Sequence, residues 1–291
     1  MYSELIIAYL FLGGASGSAF LVMSLWSLAF HASERRLHNR RLRLSFRVMK
    51  RVVYTVALAM LFVALACLFF DLKMPDKALL LFVRPRPTPL TFGAFVLAAE
   101  AALGGALVVA NTLRPRWATG RIKAMLEGIC ALTSLAVMTY TAVYLYVQKA
   151  VSLWDSPWIV PLFLCSSTSA GISTVLLCNW FIEGKTLLLR AARPLQQAHL
   201  CVLVVEGASL AAFLFSVAAT TPEGQSLTLL SDPALLQMFL LGAVGMGIAV
   251  PFSFESYSLI RRPWRAIPLS DVVCLIGGFC LRWCLIMGGT H

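Results

Sequence analysis

Apolar residues in this chain neither alternate with polar ones nor mark a single helix face. They run on for 20 residues and more, broken by short polar segments. Eight such runs can be read, at about residues 4 to 30, 50 to 71, 89 to 113, 124 to 148, 158 to 182, 198 to 220, 234 to 258 and 268 to 288. A helix crossing a hydrocarbon core of roughly 30 Å needs about 20 apolar residues, and inside lipid it satisfies its own backbone groups. The pattern therefore predicts an all-α integral membrane protein of eight transmembrane helices, with little chain left for a soluble domain. Glu4 rather than a basic stretch precedes the first run, which is also too long for the apolar part of a cleaved leader, so it is expected to be retained.

Composition agrees: 59% of residues are hydrophobic and 13% charged, and the mean hydropathy is +0.83, far from a soluble domain. Charge then orients the helices. Of the 24 Lys and Arg residues, 18 fall after runs 1, 3, 5 and 7, including Lys50 and Arg51, and 6 lie elsewhere. The positive-inside rule puts those loops in the cytoplasm and both termini outside, on the periplasmic side of a bacterial inner membrane. The basic run RRLHNRRLRLSFRVMKR reads as an orientation signal or a lipid-headgroup contact rather than a nucleic-acid site. All eight cysteines fall within the runs and none forms a CxxC pair, which suggests neither an iron–sulfur cluster nor a structural zinc site. Cys280 and Cys284, four residues apart, read as helix packing.

Runs 1 and 5 share LFL, Leu10 to Leu12 and Leu162 to Leu164, followed by GGASGSA in one and CSSTSAG in the other. Both runs point the same way, so a repeat would divide the protein into two four-helix bundles, residues 1–150 and 151–291, related by an axis along the membrane normal. The connection DLKMPDKALLLFVRPRPTPLTFG between runs 2 and 3 is the longest external segment. It is either a docking feature or a proline-stiffened connector.

Histidines that could ligate haem b are few. His31, His38 and His199 lie at cytoplasmic helix ends or in a loop, where solvated side chains are expected, and His291 is terminal. No haem, iron–sulfur cluster or other metal site is expected in this chain. The intramembrane polar residues say more. By a rise of 1.5 Å per residue, Tyr9 lies about 8 Å below the outer surface and Tyr140 stops about 10 Å short of it. Arg282 reaches roughly the same layer and Asp71 lies just above, which together outline a polar pocket in the outer leaflet. Interfacial tyrosines and snorkelling arginines would give a similar pattern; the shared face of Thr133, Tyr140 and Tyr144 favours the pocket.

Four acids lie deeper: Glu100 and Glu206 at mid-helix, Glu127 and Glu255 nearer the inside. A carboxylate at the bilayer centre costs on the order of 2.5–3.5 kcal/mol and normally faces the bundle interior, where it either pairs or conducts. These acids are candidates for a proton route between the cytoplasm and the outer pocket, or for protonated structural groups bonded to neighbouring hydroxyls. In YLFLGGASGSAF, Gly13 with Gly17 and Gly14 with Ser18 form small-residue pairs for close helix packing. Tyr9, Gly13, Ser16 and Gly17 also share a face, so the stretch reads as a pocket wall.

Taken in order, YLFLGGASGSAF, LFFDLKMPDK, RPRPTPLTFGAF, YTAVYL, LWDSPWIVPLFLCSSTSAG, LLGAVGMGIAVP and GGFCLRWCLIMGG resemble the NrfD family, the membrane subunits of polysulfide-reductase-like complexes, over nearly the whole chain. The resemblance implies an eight-helix anchor of two four-helix bundles. Such an anchor exchanges electrons between a membrane quinone, menaquinone or ubiquinone, and an external ferredoxin-like iron–sulfur subunit. That partner in turn serves a molybdopterin-type catalytic subunit or a cytochrome, so this chain is not an autonomous enzyme. The family's quinone pocket lies in the outer leaflet, and its helix 4 tyrosine falls on Tyr140. Its quinone-contacting histidine falls on Tyr9 and a nearby asparagine near Ile6; DLKMP stands where DLGRP is usual, so Asp71 is retained and the arginine is not. A tyrosine hydrogen-bonds a quinone carbonyl but does not take up a proton near neutral pH.

The resulting expectation is a quinone site at Tyr9, Gly13, Asp71, Tyr140 and Arg282, with Glu100, Glu127, Glu206 and Glu255 as the proton route. A secondary transporter, which also joins repeated bundles to buried acids and glycine-broken helices, is the alternative.

Overall fold

The computed structural model describes residues 4–34, 40–71, 88–113, 115, 118–147, 152–182, 185–220, 232–261 and 268–290. Most of the long connection after run 2 lies outside them, as do Arg35, Arg36, His38, Arg114, Arg116, Arg262, Arg265 and His291. The elements are α1 (Glu4–Glu34), α2 (Arg40–Asp71), α3 (Pro89–Thr112), α4 (Gly120–Val147), a 3₁₀ turn (Ser152–Trp154), α5 (Ile159–Trp180), α6 (Lys185–Thr220), α7 and α8 (Pro268–Thr290). Helix α7 is composite: α over Pro233–Gln237, π over Met238–Ala249 and α again over Val250–Arg261. Among the described residues there is no strand, and eight helices are long and apolar enough to cross a membrane, as the apolar runs predict.

Local chemistry sets several ends. The Thr88 hydroxyl accepts from the Thr91 N–H, and the Asp232 carboxylate accepts from the Ala234 N–H 3.0 Å away. Pro89 and Pro233 follow directly, where a missing N–H costs nothing.

One boundary corrects the sequence reading. Helix α2 starts at Arg40, so Arg40, Arg41, Arg43, Arg47, Lys50 and Arg51 are helical rather than loop residues. The reason is amphipathicity: Leu42, Phe46, Met49 and Val53 are buried at helical spacing on one face of this basic segment. Phe46 stacks on Phe30 and meets Trp26 edge-on, which ties the segment to α1.

Helix α1 packs against α2, α4 and α5; α3 lies against α2 and α4; α5 lies against α6 and α8; and α7 packs on α8. Lipid gives apolar surfaces no reason to associate, so close approach through small residues supplies the contact. A Cβ on Gly14 would crowd Ser167, one on Gly171 would overlap Ser18, and one on Gly17 would press on the Ser134 carbonyl and Val137. Helices α1 and α5 thus run side by side and parallel, pairing Gly14 with Ser167 and Ser18 with Gly171 at a constant separation along the chain. At Gly247 and Gly277 the backbones of α7 and α8 touch, leaving no room for a side chain.

Candidate functional site

The phenols of Tyr9 and Tyr140 hydrogen-bond to each other between α1 and α4, 4% and 8% exposed respectively. The α3 backbone at Gly93 closes over the Tyr140 ring, where any Cβ would overlap it. Gly13 lies one turn from Tyr9, and a Cβ there would sit 3.8 Å from the Tyr9 ring. The missing side chain at Gly93 therefore lets the Tyr140 ring pack directly on the α3 backbone, and Gly13 leaves the Tyr9 ring uncrowded on its own helix. A phenol both donates and accepts, so in a phenol pair one O–H always remains to be donated elsewhere.

Further along α4 the polar groups continue inside the bundle. The Glu100 carboxylate on α3 accepts from Thr133, from Ser134 at 2.5 Å and from the Cys130 thiol at 3.7 Å. On α2, Tyr54 meets Ser24 of α1 at 3.2 Å. Closer to the basic end, where α1 stops and α2 starts, the Lys50 ammonium pairs with Glu127 and donates to Ser27 at 2.8 Å.

A second set of polar groups lies around α5. Arg282 of α8 is 1% exposed. Its Nη1 donates to the Ser166 hydroxyl and the Gly278 carbonyl, both at 3.1 Å, and its Nη2 to the Ser167 hydroxyl at 2.6 Å. The guanidinium lies 5.5 Å from the Phe11 ring centre and 5.3 Å from that of Phe163. Glu206 of α6 is buried near Ser166, Ser169 and the charge of Arg282, and its Oε2 has no hydrogen-bond partner. Ser169 in turn lies 3.0 Å from His199 Nε2, and His199 Nδ1 lies 2.5 Å from Glu255. Asp271 of α8 completes a buried group with His199 and Glu255. The polar groups therefore run from Arg282 to Asp271 along the hydroxyl face of α5.

The geometry sorts the residues singled out from the sequence. It joins Tyr9 to Tyr140 and sets Gly13 beside Tyr9. Arg282 has its side-chain hydrogen-bond partners on α5 and meets α1 at Phe11 and Gly14, two and five residues beyond Tyr9. Asp71 is the half-buried last residue of α2. Glu100 and Glu206 have no partner in common, one bonding α4 and the other lying near α5. Glu127 and Glu255 each hold a base, Lys50 and His199.

His199 corrects the expectation of a solvated interfacial histidine: it is fully buried within α6, among side chains of α5, α7 and α8. His31, by contrast, is exposed on α1. Lys50 and Asp271 were not singled out as intramembrane groups. The only sequence signal for Lys50 was its place one turn beyond Phe46 and beside Met49 on an amphipathic helix.

No curated protein matches the chain. A family model described as "Polysulphide reductase, NrfD" matches residues 1–291, the whole length. The chain therefore belongs to the NrfD family, and membership implies a multi-pass membrane subunit of a quinone-linked oxidoreductase complex.

Proposed function

We propose that this subunit reacts with a membrane quinone or quinol at the Tyr9–Tyr140 pair and exchanges electrons with an iron–sulfur subunit docked on the extracytoplasmic face. The observation that carries the reading is the buried phenol pair, with Gly93 against one ring and Gly13 beside the other. A quinone ring is flat and its carbonyls accept hydrogen bonds; the phenol proton left over by the pair is the donor it needs. Tyr140 bonds a quinone oxygen, Tyr9 holds the headgroup, Gly13 admits the ring, and Asp71 and Arg282 set the charge around the site. Menaquinone and ubiquinone both fit this chemistry.

A two-electron quinone reaction also moves two protons. In this reading they travel between the site and the cytoplasm by way of Glu100, Glu127, Glu206 and Glu255, which makes turnover electrogenic. Support comes from the buried hydroxyl of Ser169, which lies near Glu206 and bonds His199, and from the hydroxyls that bond Glu100. The chain is organised as two four-helix halves, 1–150 and 151–291, in a bacterial inner membrane with both termini outside. The packing of α1–α4 around the phenols, the parallel pairing of α1 with α5 and the distribution of basic residues support that arrangement. A molybdopterin-type subunit or a cytochrome, reached through the iron–sulfur protein, carries out the terminal reaction.

Gentle solubilisation and affinity purification test the proposal. The chain is expected to bring down an iron–sulfur subunit and bound quinone in roughly stoichiometric amounts. An isolated, quinone-free chain that moves a solute across liposomes would instead be a secondary transporter.

A further inference from the structure

We propose that His199, Glu255 and Asp271 form a binding site for a divalent first-row cation of the zinc class, at the basic end of the α5–α8 helices. The three residues come from α6, α7 and α8, and one ligand atom from each lies within 4.8 Å of the other two. They are 0%, 7% and 5% exposed. The inference does not rest on the quinone reading, and with the cation bound Glu255 is a ligand rather than a step of the proton route.

Two further observations point to an occupant. Glu255 Oε2 and Ser270 Oγ are both buried without a hydrogen-bond partner. Ser270, 4% exposed, lines a cavity together with Glu255 and Asp271, whose wall also includes Gln196 and Ser258. A buried acceptor with nothing to accept from is costly, and more so within a membrane. A cation bound by Glu255, carrying water hydrogen-bonded to Ser270, removes both deficits. The cavity is its route of entry.

The donor set selects the ion. One imidazole nitrogen and two carboxylate oxygens suit Zn²⁺ and its first-row neighbours; Ca²⁺ takes six to eight oxygens, and Cu(I) prefers sulfur. His199 is oriented for the role. Its Nδ1 faces Glu255, while Nε2 lies 3.0 Å from Ser169 Oγ and 3.4 Å from Ser173 Oγ. A proton held on Nε2 by those hydroxyls leaves the Nδ1 lone pair for the ion. Cys274 Sγ lies on the Nε2 side, 3.8 Å away, and so is not a ligand. Zinc bonds of about 2.0–2.2 Å require Glu255 to back away from Nδ1 by less than an ångström. Three protein ligands then leave a fourth position for water, as in open zinc sites.

The test uses the full chain in detergent, stripped with a chelator and titrated with Zn²⁺. Wild type and Glu100→Gln are expected to bind one tight zinc per chain, and His199→Gln and Asp271→Asn to bind it at least about tenfold more weakly. X-ray absorption of the wild-type zinc complex should show nitrogen and oxygen ligands without sulfur, and zinc should raise the wild-type melting temperature. Absence of tight zinc from the wild type, equal affinity in the Asp271→Asn variant, or a sulfur ligand would each overturn the site. The wild-type readouts decide even if a variant does not fold.

Discussion

Lys50 of α2 is ion-paired with Glu127 of α4 at a point where their side chains are only 5% and 1% exposed. Ser27 of α1 accepts from the same ammonium at 2.8 Å, so three helices are tied at the basic end of the phenol half. Removing one member of such a pair leaves the other charged and buried, at a cost of about 3–5 kcal/mol, whereas replacing both with apolar residues is close to neutral. Lys50→Met is therefore expected to lower thermal stability in detergent sharply. Lys50→Met with Glu127→Leu is expected to recover most of the loss, as read by melting curves of the purified protein.

The phenol pair predicts a separation between folding and turnover. Tyr140→Phe keeps the ring that fills the space under Gly93 and removes only the hydroxyl. The variant is expected to assemble normally and to slow quinone-dependent electron transfer by about tenfold, the loss of roughly one hydrogen bond to substrate. Steady-state rates with a soluble quinone analogue check this, and an unchanged rate would remove Tyr140 from the site.

Gly93 offers an independent approach to the same phenol. In Gly93→Ala the new Cβ meets the Tyr140 ring and must displace it, so turnover is expected to fall although no polar group has changed. Gly105→Ala, with no atom within 4 Å of the added carbon, is the matched control and is expected to behave as wild type. The comparison is made on rates normalised to folded protein.

Glu100 accepts three side-chain bonds from α4, and Glu206 lies near the hydroxyls of α5. Glutamine keeps the shape and one acceptor but neither loads nor releases a proton. Glu100→Gln and Glu206→Gln are expected to reduce charge movement across proteoliposomes while electrons still reach the acceptor. Equal charge movement per electron in both variants would make these acids structural.

Much of the architecture was legible in the sequence because lipid imposes a length and composition on anything that crosses it. The start of α2 was not, since a stretch dense in arginine looks like a loop until Leu42, Phe46 and Met49 are seen to share a face. Counting rise along helices brought Tyr9 and Tyr140 to one depth, and they do meet. Rise says nothing of azimuth, however, and Arg282 takes its partners from α5. His199 reads as a solvated interfacial residue for a related reason. Its surroundings, Ser169, Glu255, Asp271 and Cys274, come from three other helices, and nothing near it in the chain marks it as enclosed.

The hydroxyls of α5 have a consequence of their own. Ser166 accepts from Arg282, which can only donate, whereas Ser169 and Ser173 beside His199 can each turn an O–H toward or away from the imidazole without moving a heavy atom. An asparagine at any of these places would fix which neighbour receives a proton and which supplies one. With serine, the His199 end of the row can follow the tautomer of the imidazole by rotating single bonds, while the Arg282 end, where the guanidinium only donates, stays fixed. Only the His199 end of this row therefore responds to the protonation of its neighbours. In the proposed function, the redox potentials at the two ends, rather than this hydroxyl row, set the direction in which protons and electrons run.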